Sequence, residues 1–229
     1  MAKLYGIGVG PGDSELLTLK GVRLIKECDV IALPKSGQKR NVAYEIAKGA
    51  IPQIDEKEIV EVHMPMTRDK AKLNEAHQNG AAVIGDILDQ GKDVAFLTLG
   101  DPTVYSTYCY VHNLVIKSGH EAEIVPGVPS FCAVAAKLNE GLTEAKEGLH
   151  IIPASYDGLE EALELKGTKV LMKSGSKLGK VKELIEEKCP DETVRMVEKC
   201  GMEGEKIYNS LDEIDEDASY FSVLVVKKR

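Results

Sequence analysis

The chain has 229 residues, of which 43% are hydrophobic and 29% are charged, and its formal net charge is -8. That length and apolar content are enough for one large core or two modest ones, which excludes a disordered tail. The acidic balance argues against nucleic acid as the main partner, and no apolar run approaches the roughly 18 residues that a membrane span needs. The first residues lead directly into a strand pattern without signal-peptide features, so we expect a cytoplasmic location.

Neither a disulfide framework nor a metal site is indicated by the cysteines and histidines. The five cysteines are odd in number, widely spaced and without a C-x-x-C pair. The five histidines lack H-E-x-x-H or comparable spacing. We therefore expect reduced thiols and no structural metal.

The first 125 residues alternate between strand and helix patterns. Asp13 or Ser14 is the expected cap of the first helix, and Pro34 is expected to stop the second strand. Strands that alternate with helices at this spacing indicate a mostly parallel, doubly wound sheet. The predicted strands span 4–9, 29–33, 59–62, 93–99 and 121–125, and the predicted helices span 16–26, 42–48, 68–90 and 107–117.

From residue 150 onward the pattern changes to closely spaced strands. Residues 194–209 read as a hairpin, which suits a mixed sheet. The sequence thus predicts a two-lobed α/β protein with an N-terminal doubly wound lobe at 1–128 and a C-terminal mixed-sheet α+β lobe at 129–229, the boundary falling between 120 and 145. The later predicted strands span 150–153, 168–173, 193–198, 205–209 and 220–227.

Gly8 to Asp13 spell G-x-G-P-G-D across the end of the first predicted strand. A dinucleotide-binding loop needs G-x-G-x-x-G, and an acidic residue at the sixth position would repel a pyrophosphate seated on the following helix. The spelling therefore argues against NAD. The alternative is a tight strand-to-helix turn that binds nothing.

A second break follows the fourth predicted strand, where Gly100, Asp101 and Pro102 interrupt an apolar run. Strand ends of this kind bind ligands in open α/β sheets. A third block, Pro126-Gly127-Val128-Pro129-Ser130, follows the fifth strand. Their alternatives are a proline turn without a ligand and a rigid crossover between lobes.

These three blocks, in this order and at these distances, resemble the tetrapyrrole methylases, the S-adenosylmethionine-dependent enzymes of cobalamin and siroheme synthesis. The resemblance covers nearly the whole chain. It implies that the cofactor lies in a cleft between the lobes, that the tetrapyrrole lies in an adjoining trough and that the chain forms a homodimer, in which a partner covers strand edges. The implied cofactor contacts are Pro11, Leu99, Gly100, Asp101, Val104, Pro129, Ser130, Met172, Cys200 and Ser222.

Within that resemblance, Met172 matches a methionine that contacts adenine, Ser222 falls near the C-terminal adenine contact, and Cys200 is a third cofactor contact in the same lobe. Two of the implied contacts depart from the family pattern. Pro129 stands where relatives often carry Ser or Thr, which removes a hydroxyl contact, and Cys200 stands where siroheme-type relatives have glycine. Taken alone, each of the three C-terminal positions is better explained as a core or edge residue.

The block from Met64 to Asp69 and the block from Thr98 to Tyr108 look like those of enzymes that methylate C-20 of precorrin-2 or cobalt-factor II. The expected chemistry is displacement at the cofactor's methyl group by a meso carbon, which rests on alignment and water exclusion. The alternatives are methylation at another tetrapyrrole position, methylation of a diphthamide precursor, and a non-catalytic tetrapyrrole or nucleotide carrier.

A polycarboxylate substrate needs local cations in an acidic protein, and a basic loop after the second strand together with Arg68 can supply them. The alternative is a solvated turn. Candidates for a base that removes the meso proton are Tyr105, Tyr108 and His112, whose i, i+3, i+7 spacing predicts one helix face; core packing is the alternative. The candidate substrate contacts are Lys35, Lys39, Arg40 and Arg68.

Overall fold

A computed structural model describes residues 2–36 and 41–228, in two separately packed units, Met1–Pro129 and Ser130–Arg229. Two of the candidate substrate contacts, Lys39 and Arg40, lie outside the described residues. Each unit contains one five-stranded sheet. No described helix combines the length and the apolarity that crossing a bilayer requires.

The first unit is a parallel sheet with helices on both faces, in the strand order β3-β2-β4-β1-β5. The predicted doubly wound architecture is confirmed. The strands are β1 (Lys3–Gly8), β2 (Val30–Lys35), β3 (Glu58–His63), β4 (Val94–Thr98) and β5 (Glu121–Val125). The helices are α1 (Leu19–Glu27), α2 (Val42–Ala50), α3 (Lys70–Asp89) and α4 (Tyr108–Lys117).

Alternation along the strands divides the core of this unit between the two faces of the sheet. On β4, Leu97 joins the cluster formed with α1 and α2, whereas its neighbour Phe96 joins the cluster formed with α3 and α4. On β1, Ile7 and Leu4 separate in the same way. Both faces of the sheet are therefore buried, as the near-continuous apolar strands predict.

The first helix begins later than predicted. Asp13 caps only a short 3-10 turn, Ser14–Leu16, by accepting a hydrogen bond from the Glu15 N–H. The Thr18 hydroxyl then accepts a hydrogen bond from the Gly21 N–H at 3.0 Å and caps α1. The glycine-rich loop is thus separated from the helix by a turn, so the helix N-terminus does not follow it directly.

Pro34 does not end the second strand, contrary to the prediction. The Lys35 carbonyl faces β3 and accepts a hydrogen bond from the Met64 N–H, so Pro34 faces the opposite side. There β4 pairs with β2 only as far as Ala32, and the Asn41 side chain donates to the Pro34 carbonyl instead. The missing proline N–H leaves no pairing position empty, so the strand continues.

The second unit is a mixed sheet in the order β6-β7-β10-β8-β9. β6 and β7 are parallel, the remaining pairs are antiparallel, and the predicted hairpin is the β8–β9 pair. Its helices have no counterpart among the predicted elements. Their bounds are α5 (Ser130–Lys137), α6 (Leu159–Leu163) and α7 (Leu178–Lys188), and the strands are β6 (Leu149–Pro153), β7 (Thr168–Met172), β8 (Glu192–Glu198), β9 (Lys206–Tyr208) and β10 (Ser222–Lys228).

Candidate functional site

Three neighbouring strands, β4, β1 and β5, deliver the three sequence blocks to one edge of the first sheet. Because the strands are parallel, their carboxyl ends meet there. Gly10 and Gly100 form an antiparallel bridge, in which the Gly100 N–H donates to the Gly10 carbonyl at 2.8 Å and the Gly10 N–H donates back at 3.2 Å. Both have positive φ, 80° and 71°, a conformation that favours glycine.

Three glycines form a glycine junction, in which the backbones of three loops touch. Gly8 ends β1, Gly100 follows β4 and Gly127 follows β5. A methyl group placed on Gly127 would lie 2.3 Å from the Gly100 carbonyl oxygen. One placed on Gly8 would lie 2.6 Å from the same oxygen and 2.7 Å from the Gly127 nitrogen. Only residues without a side chain allow the three loops to approach this closely, and two of these glycines are absent from the predicted contacts.

Asp101 ties two of the loops together from a buried position. One carboxylate oxygen accepts hydrogen bonds from the Thr103 N–H, at 2.7 Å, and from the Thr103 hydroxyl. The other accepts the Gly127 N–H at 2.9 Å. The carboxylate of Asp101, a residue implied to contact the cofactor, is therefore engaged with the protein on both oxygens.

The remaining predicted contacts of the first unit lie on the same loops. Pro11 is buried next to the Gly10–Gly100 bridge, and Leu99 and Val104 are half-buried on either side of the Gly-Asp-Pro turn. The Val104 N–H donates to the Asp101 carbonyl at 3.2 Å, which closes that turn. Pro129 is the last residue of the first unit and Ser130 the first of the second, where it opens α5.

In the second unit, the structure brings Met172, Cys200 and Ser222 to one end of the sheet. Met172 ends β7, and Ser222 begins the antiparallel β10, where it pairs with Glu198 at the end of β8. Cys200 follows two residues after Glu198 and is buried. The roles of these residues toward a cofactor stay predictions.

Around this end of the sheet lies a polar cluster that no sequence motif indicated. Glu198 is buried and accepts hydrogen bonds from the Ser219 N–H at 2.8 Å and the Tyr208 hydroxyl at 3.2 Å. Burial alone would raise the pKa of Glu198, but these hydrogen bonds and nearby Lys206 hold it below its ordinary value. The Ser222 hydroxyl donates to the Ser219 carbonyl at 2.8 Å.

One hydroxyl oxygen in this region, that of Ser174, is buried and has no hydrogen-bond partner in the described structure. A hydroxyl without a partner is a feature of the fold, so no sequence pattern could have pointed to it. Such groups are exceptions in native proteins.

The three candidate bases do not share one helix face. Tyr105 precedes α4, is exposed and has a positive φ of 49°, so the helical spacing does not apply to it. Tyr108 is fully buried, with its hydroxyl 2.9 Å from His112 Nδ1, and its ring occupies the space that a side chain at position 6 would need. Burial raises the pKa of Tyr108 and lowers that of His112. This geometry favours core packing for the pair, and a base role stays a prediction.

The two candidate substrate cations within the described residues lie at the carboxyl edge of the first sheet. Lys35 ends β2 and forms an ion pair with Glu61 of β3. Arg68 is exposed in the segment between β3 and α3. Lys35 is thus partly neutralised by its neighbour, and substrate recognition by these cations stays a prediction.

Comparison with known proteins agrees with the family resemblance. The sequence matches the Tetrapyrrole (Corrin/Porphyrin) Methylases over residues 3–215. A probable cobalt-precorrin-2 C(20)-methyltransferase of Methanocaldococcus jannaschii is 38% identical over 99% of this chain and 96% of its own length. The cobalt-precorrin-2 C(20)-methyltransferase of Salmonella typhimurium is 30% identical over 99% of this chain and 97% of its own length.

Solved structures share the fold. A cobalt precorrin-4 methyltransferase has a TM-score of 0.77 at 24% identity, over 98% of this chain and 94% of the other. A uroporphyrin-III C-methyl transferase from Thermus thermophilus, complexed with S-adenosyl homocysteine, has a TM-score of 0.73 at 20% identity, over 99% and 97% of the two chains. On the family match and the full-length relatives, this chain belongs to the tetrapyrrole methylase family.

Proposed function

We propose that this protein transfers a methyl group from S-adenosylmethionine to C-20 of a precorrin-2-type tetrapyrrole in cobalamin biosynthesis. The observation that carries the proposal is the pair of relatives named C(20)-methyltransferases, which are 38% and 30% identical over 99% of the chain. A precorrin-2 C(20)-methyltransferase of Sinorhizobium is 25% identical over the same share.

The residues of the chain fit such a ligand. S-adenosylmethionine, when bound, supplies a methyl group activated on a sulfonium sulfur. The glycine junction and the Gly10–Gly100 bridge present rigid backbone at the carboxyl edge of the sheet, against which the methionine part would be held. Asp101 fixes the relative positions of two of these loops. Such fixed positioning is what a displacement reaction needs, since its rate depends on alignment.

We further propose the cobalt-containing form as the natural substrate, cobalt-factor II or its reduced equivalent. The two relatives with the higher identities are named for cobalt-precorrin-2, and the one named for precorrin-2 is less similar. The metal is then part of the substrate.

The decisive experiment is a parallel assay with methyl-labelled S-adenosylmethionine and both substrates, metal-free precorrin-2 and cobalt-factor II. We expect one labelled methyl group per product, located at C-20 by NMR, and faster turnover with the cobalt form. Label at another ring carbon would assign the enzyme to a different methylation step. Tight binding of both substrates without label transfer would identify a carrier.

We also propose a homodimer located in the cytoplasm. The second sheet ends in the short edge strand β9, whose Ile207 is 42% exposed, and a partner chain that covers an edge removes unpaired backbone groups from water. Light scattering should give about twice the 24.9 kDa chain mass at micromolar concentration. A species of monomer mass throughout would contradict the dimer.

A further inference from the structure

A cavity lies at the end of the second sheet opposite Met172 and Ser222. The parallel strands β6 and β7 both begin at this end, and the antiparallel β10 ends there. The cavity has a volume of about 360 Å³, which is within the range of small-molecule sites. Thr168 lines it and begins β7, whereas Met172 ends the same strand. At the rise of a β-strand the cavity is therefore about 13 Å from Met172.

Two glycines bring backbone segments together in one wall of this cavity. Gly148 precedes β6 and Gly167 precedes β7, and both line the cavity. The Thr168 N–H donates to the Gly148 carbonyl at 2.9 Å. Gly167 has a φ of 110°, and a methyl group placed on it would lie 2.3 Å from the Gly148 carbonyl oxygen. Only glycine fits at position 167, so this wall is closely packed backbone.

Lysine side chains give the cavity a positive charge within an acidic chain. None of them forms an ion pair with another residue that the structure describes, whereas Lys169, the residue after Thr168, is paired with Glu192. The single carboxylate among the described lining residues is Glu147. Four lysines and this carboxylate leave a net charge of +3 on the lining, although the whole chain carries -8. The lysines of this lysine cavity are Lys146, Lys166, Lys227 and Lys228.

A buried hydroxyl without a partner belongs to the wall of the lysine cavity. Thr168 is only 1% exposed, and its Oγ1 has no hydrogen-bond partner among the described residues. Valine has nearly the same shape and would avoid the cost of burying an unpaired hydroxyl. The hydroxyl hydrogen rotates to suit an acceptor. Position 168 therefore favours a ligand that brings acceptor oxygens into the cationic cavity.

The chemistry of the lining favours phosphate over carboxylate. Lysine binds phosphate as a compact point charge, whereas the planar fork of arginine matches a carboxylate best, and the described lining contains no arginine. A single phosphate ester carries a charge of about -1.5 to -2 near neutral pH. Two phosphoryl groups are therefore needed to balance the +3 of the lining.

We propose that the lysine cavity binds a small molecule that carries a diphosphate group. The lysines compensate the charge of the phosphate oxygens, and the Thr168 hydroxyl donates to one of them. That directional contact distinguishes a bound ligand from loosely held counterions. The cavity lies apart from the loops assigned to methyl transfer, so this inference does not rest on the proposed function.

The first test measures the binding of pyrophosphate to the full chain by calorimetry, at constant ionic strength and without divalent cations. We expect saturable binding, and Lys166→Gln/Lys228→Gln should weaken it at least tenfold. Lys180→Gln/Lys206→Gln is the matched control, because it makes the same charge change at exposed positions of the same unit outside the cavity lining. The control should keep the wild-type affinity. Equal losses in the two double variants would overturn the inference, since net charge alone would then hold the anion.

The second test addresses the buried hydroxyl. Thr168→Val should weaken pyrophosphate binding about tenfold, because a hydrogen bond to a charged oxygen is lost. The same variant should raise the ligand-free Tm, on the order of 2–4 °C, because an unpaired buried hydroxyl is removed. These opposite signs separate ligand recognition from a structural role. Thr168→Ser keeps the hydroxyl and should keep the affinity, whereas a raised Tm with unchanged affinity in Thr168→Val would overturn the role of this hydroxyl.

Citrate and sulfate serve as competing anions that test the selectivity of the cavity. Both should bind at least tenfold more weakly than pyrophosphate. Citrate that binds as tightly as pyrophosphate, or a wild-type chain without saturable pyrophosphate binding at millimolar concentration, would overturn the inference. S-adenosylhomocysteine affinity is measured in parallel and should stay at the wild-type level in every variant. A failure of pyrophosphate binding alone therefore leaves the proposed function intact, and a failure of S-adenosylhomocysteine binding alone leaves this inference intact.

Discussion

Asp101 illustrates at the residue scale how a motif residue acts through the protein before it acts on a ligand. An acidic residue in a Gly-Asp-Pro turn suggests a ligand contact, but its carboxylate accepts hydrogen bonds from Thr103 and Gly127. The Gly127 contact reaches across to the loop after a different strand. Removing the charge should therefore disturb both the loops and whatever they bind.

We predict that Asp101→Asn lowers the free energy of unfolding by about 1–3 kcal/mol. The new amide nitrogen is a donor, and it would face an N–H donor where the carboxylate oxygen now accepts. S-adenosylhomocysteine affinity should fall in parallel as the loops shift. Urea denaturation and calorimetry measure the two effects. Asp93→Asn is the control: Asp93 accepts the Lys3 N–H at 2.7 Å at the amino end of the same sheet. That control should lose stability and keep its affinity, and equal affinity losses in both variants would refute the assignment.

Gly127 offers a purely steric test, because no positive φ is involved at this position. In Gly127→Ala the new methyl group would lie 2.3 Å from the Gly100 carbonyl oxygen. That oxygen is a backbone atom, so moving it away costs free energy. We expect a loss of stability of at least about 1–3 kcal/mol, the usual range for overpacking, together with weaker S-adenosylhomocysteine binding.

The matched control for that substitution is Gly141→Ala. The nearest atom to a methyl group there is 3.8 Å away, and the backbone of Gly141 is also free of positive φ. It should leave the urea midpoint and the affinity nearly unchanged. A Gly127→Ala protein as stable as the Gly141→Ala protein would show that the glycine junction tolerates a side chain.

At the scale of the element, one carboxylate ties edge strand β5 to two other elements, in addition to its backbone pairing with β1. Glu123 of β5 accepts hydrogen bonds from Lys20 on α1, at 2.5 Å, and from Lys3 on β1, at 2.8 Å. These two lysines lower the pKa of Glu123 from 4.5 to about 2. The unfolded chain therefore binds a proton at this group at a higher pH than the folded chain does.

The sign of the pH dependence follows from that difference. The contribution of Glu123 to stability is fully present above its ordinary pKa of 4.5 and is lost as the pH falls toward about 2. We predict that Glu123→Gln flattens the loss of stability over this interval, measured as the urea midpoint against pH. Glu121→Gln on the same strand, at a residue that accepts no lysine hydrogen bond in the described structure, should keep the wild-type slope. Identical slopes for all three proteins would contradict the prediction.

The elements themselves show what a sequence can predict. The strands of the first sheet and α2 to α4 are evident from apolar runs and helical period, because burying a face is what forms them. The start of α1 depends on which side chain, that of Asp13, Ser14 or Thr18, accepts the capping hydrogen bond of the helix. The continuation of β2 through Pro34 depends on where β4 stops pairing with β2. Those outcomes are decided by tertiary geometry that no local pattern contains.

The candidate site divides in the same way. The motif order predicts which loops meet, because consecutive blocks follow parallel strands whose carboxyl ends share an edge. It cannot predict that Asp101 faces the protein, that Tyr105 leaves the helix, or that Ser174 buries an unpaired hydroxyl. Each of these depends on a neighbour distant in sequence.

At the scale of the whole molecule, charge is the constraint on substrate binding. The chain carries a net charge of -8, and a tetrapyrrole with several carboxylates is repelled by such a protein unless positive charge is concentrated where it binds. Lys35 at the carboxyl edge of the first sheet is already paired with Glu61. The basic residues that follow it in sequence, Lys39 and Arg40, then become, with Arg68, the main candidates for recognising the substrate carboxylates.

We predict that neutralising both, in Lys39→Gln/Arg40→Gln, weakens tetrapyrrole binding several-fold at low salt and leaves S-adenosylhomocysteine affinity level. The loss should shrink as salt is added, because a Debye length of about 8 Å at physiological ionic strength masks exposed charges. Fluorescence titration across a salt series measures it. Lys26→Gln/Lys117→Gln makes the same change in net charge at the carboxyl ends of α1 and α4, and it should weaken binding far less. Equal losses in the two double variants would mean that net charge alone sets the affinity, and wild-type affinity in the first would mean that other residues hold the carboxylates.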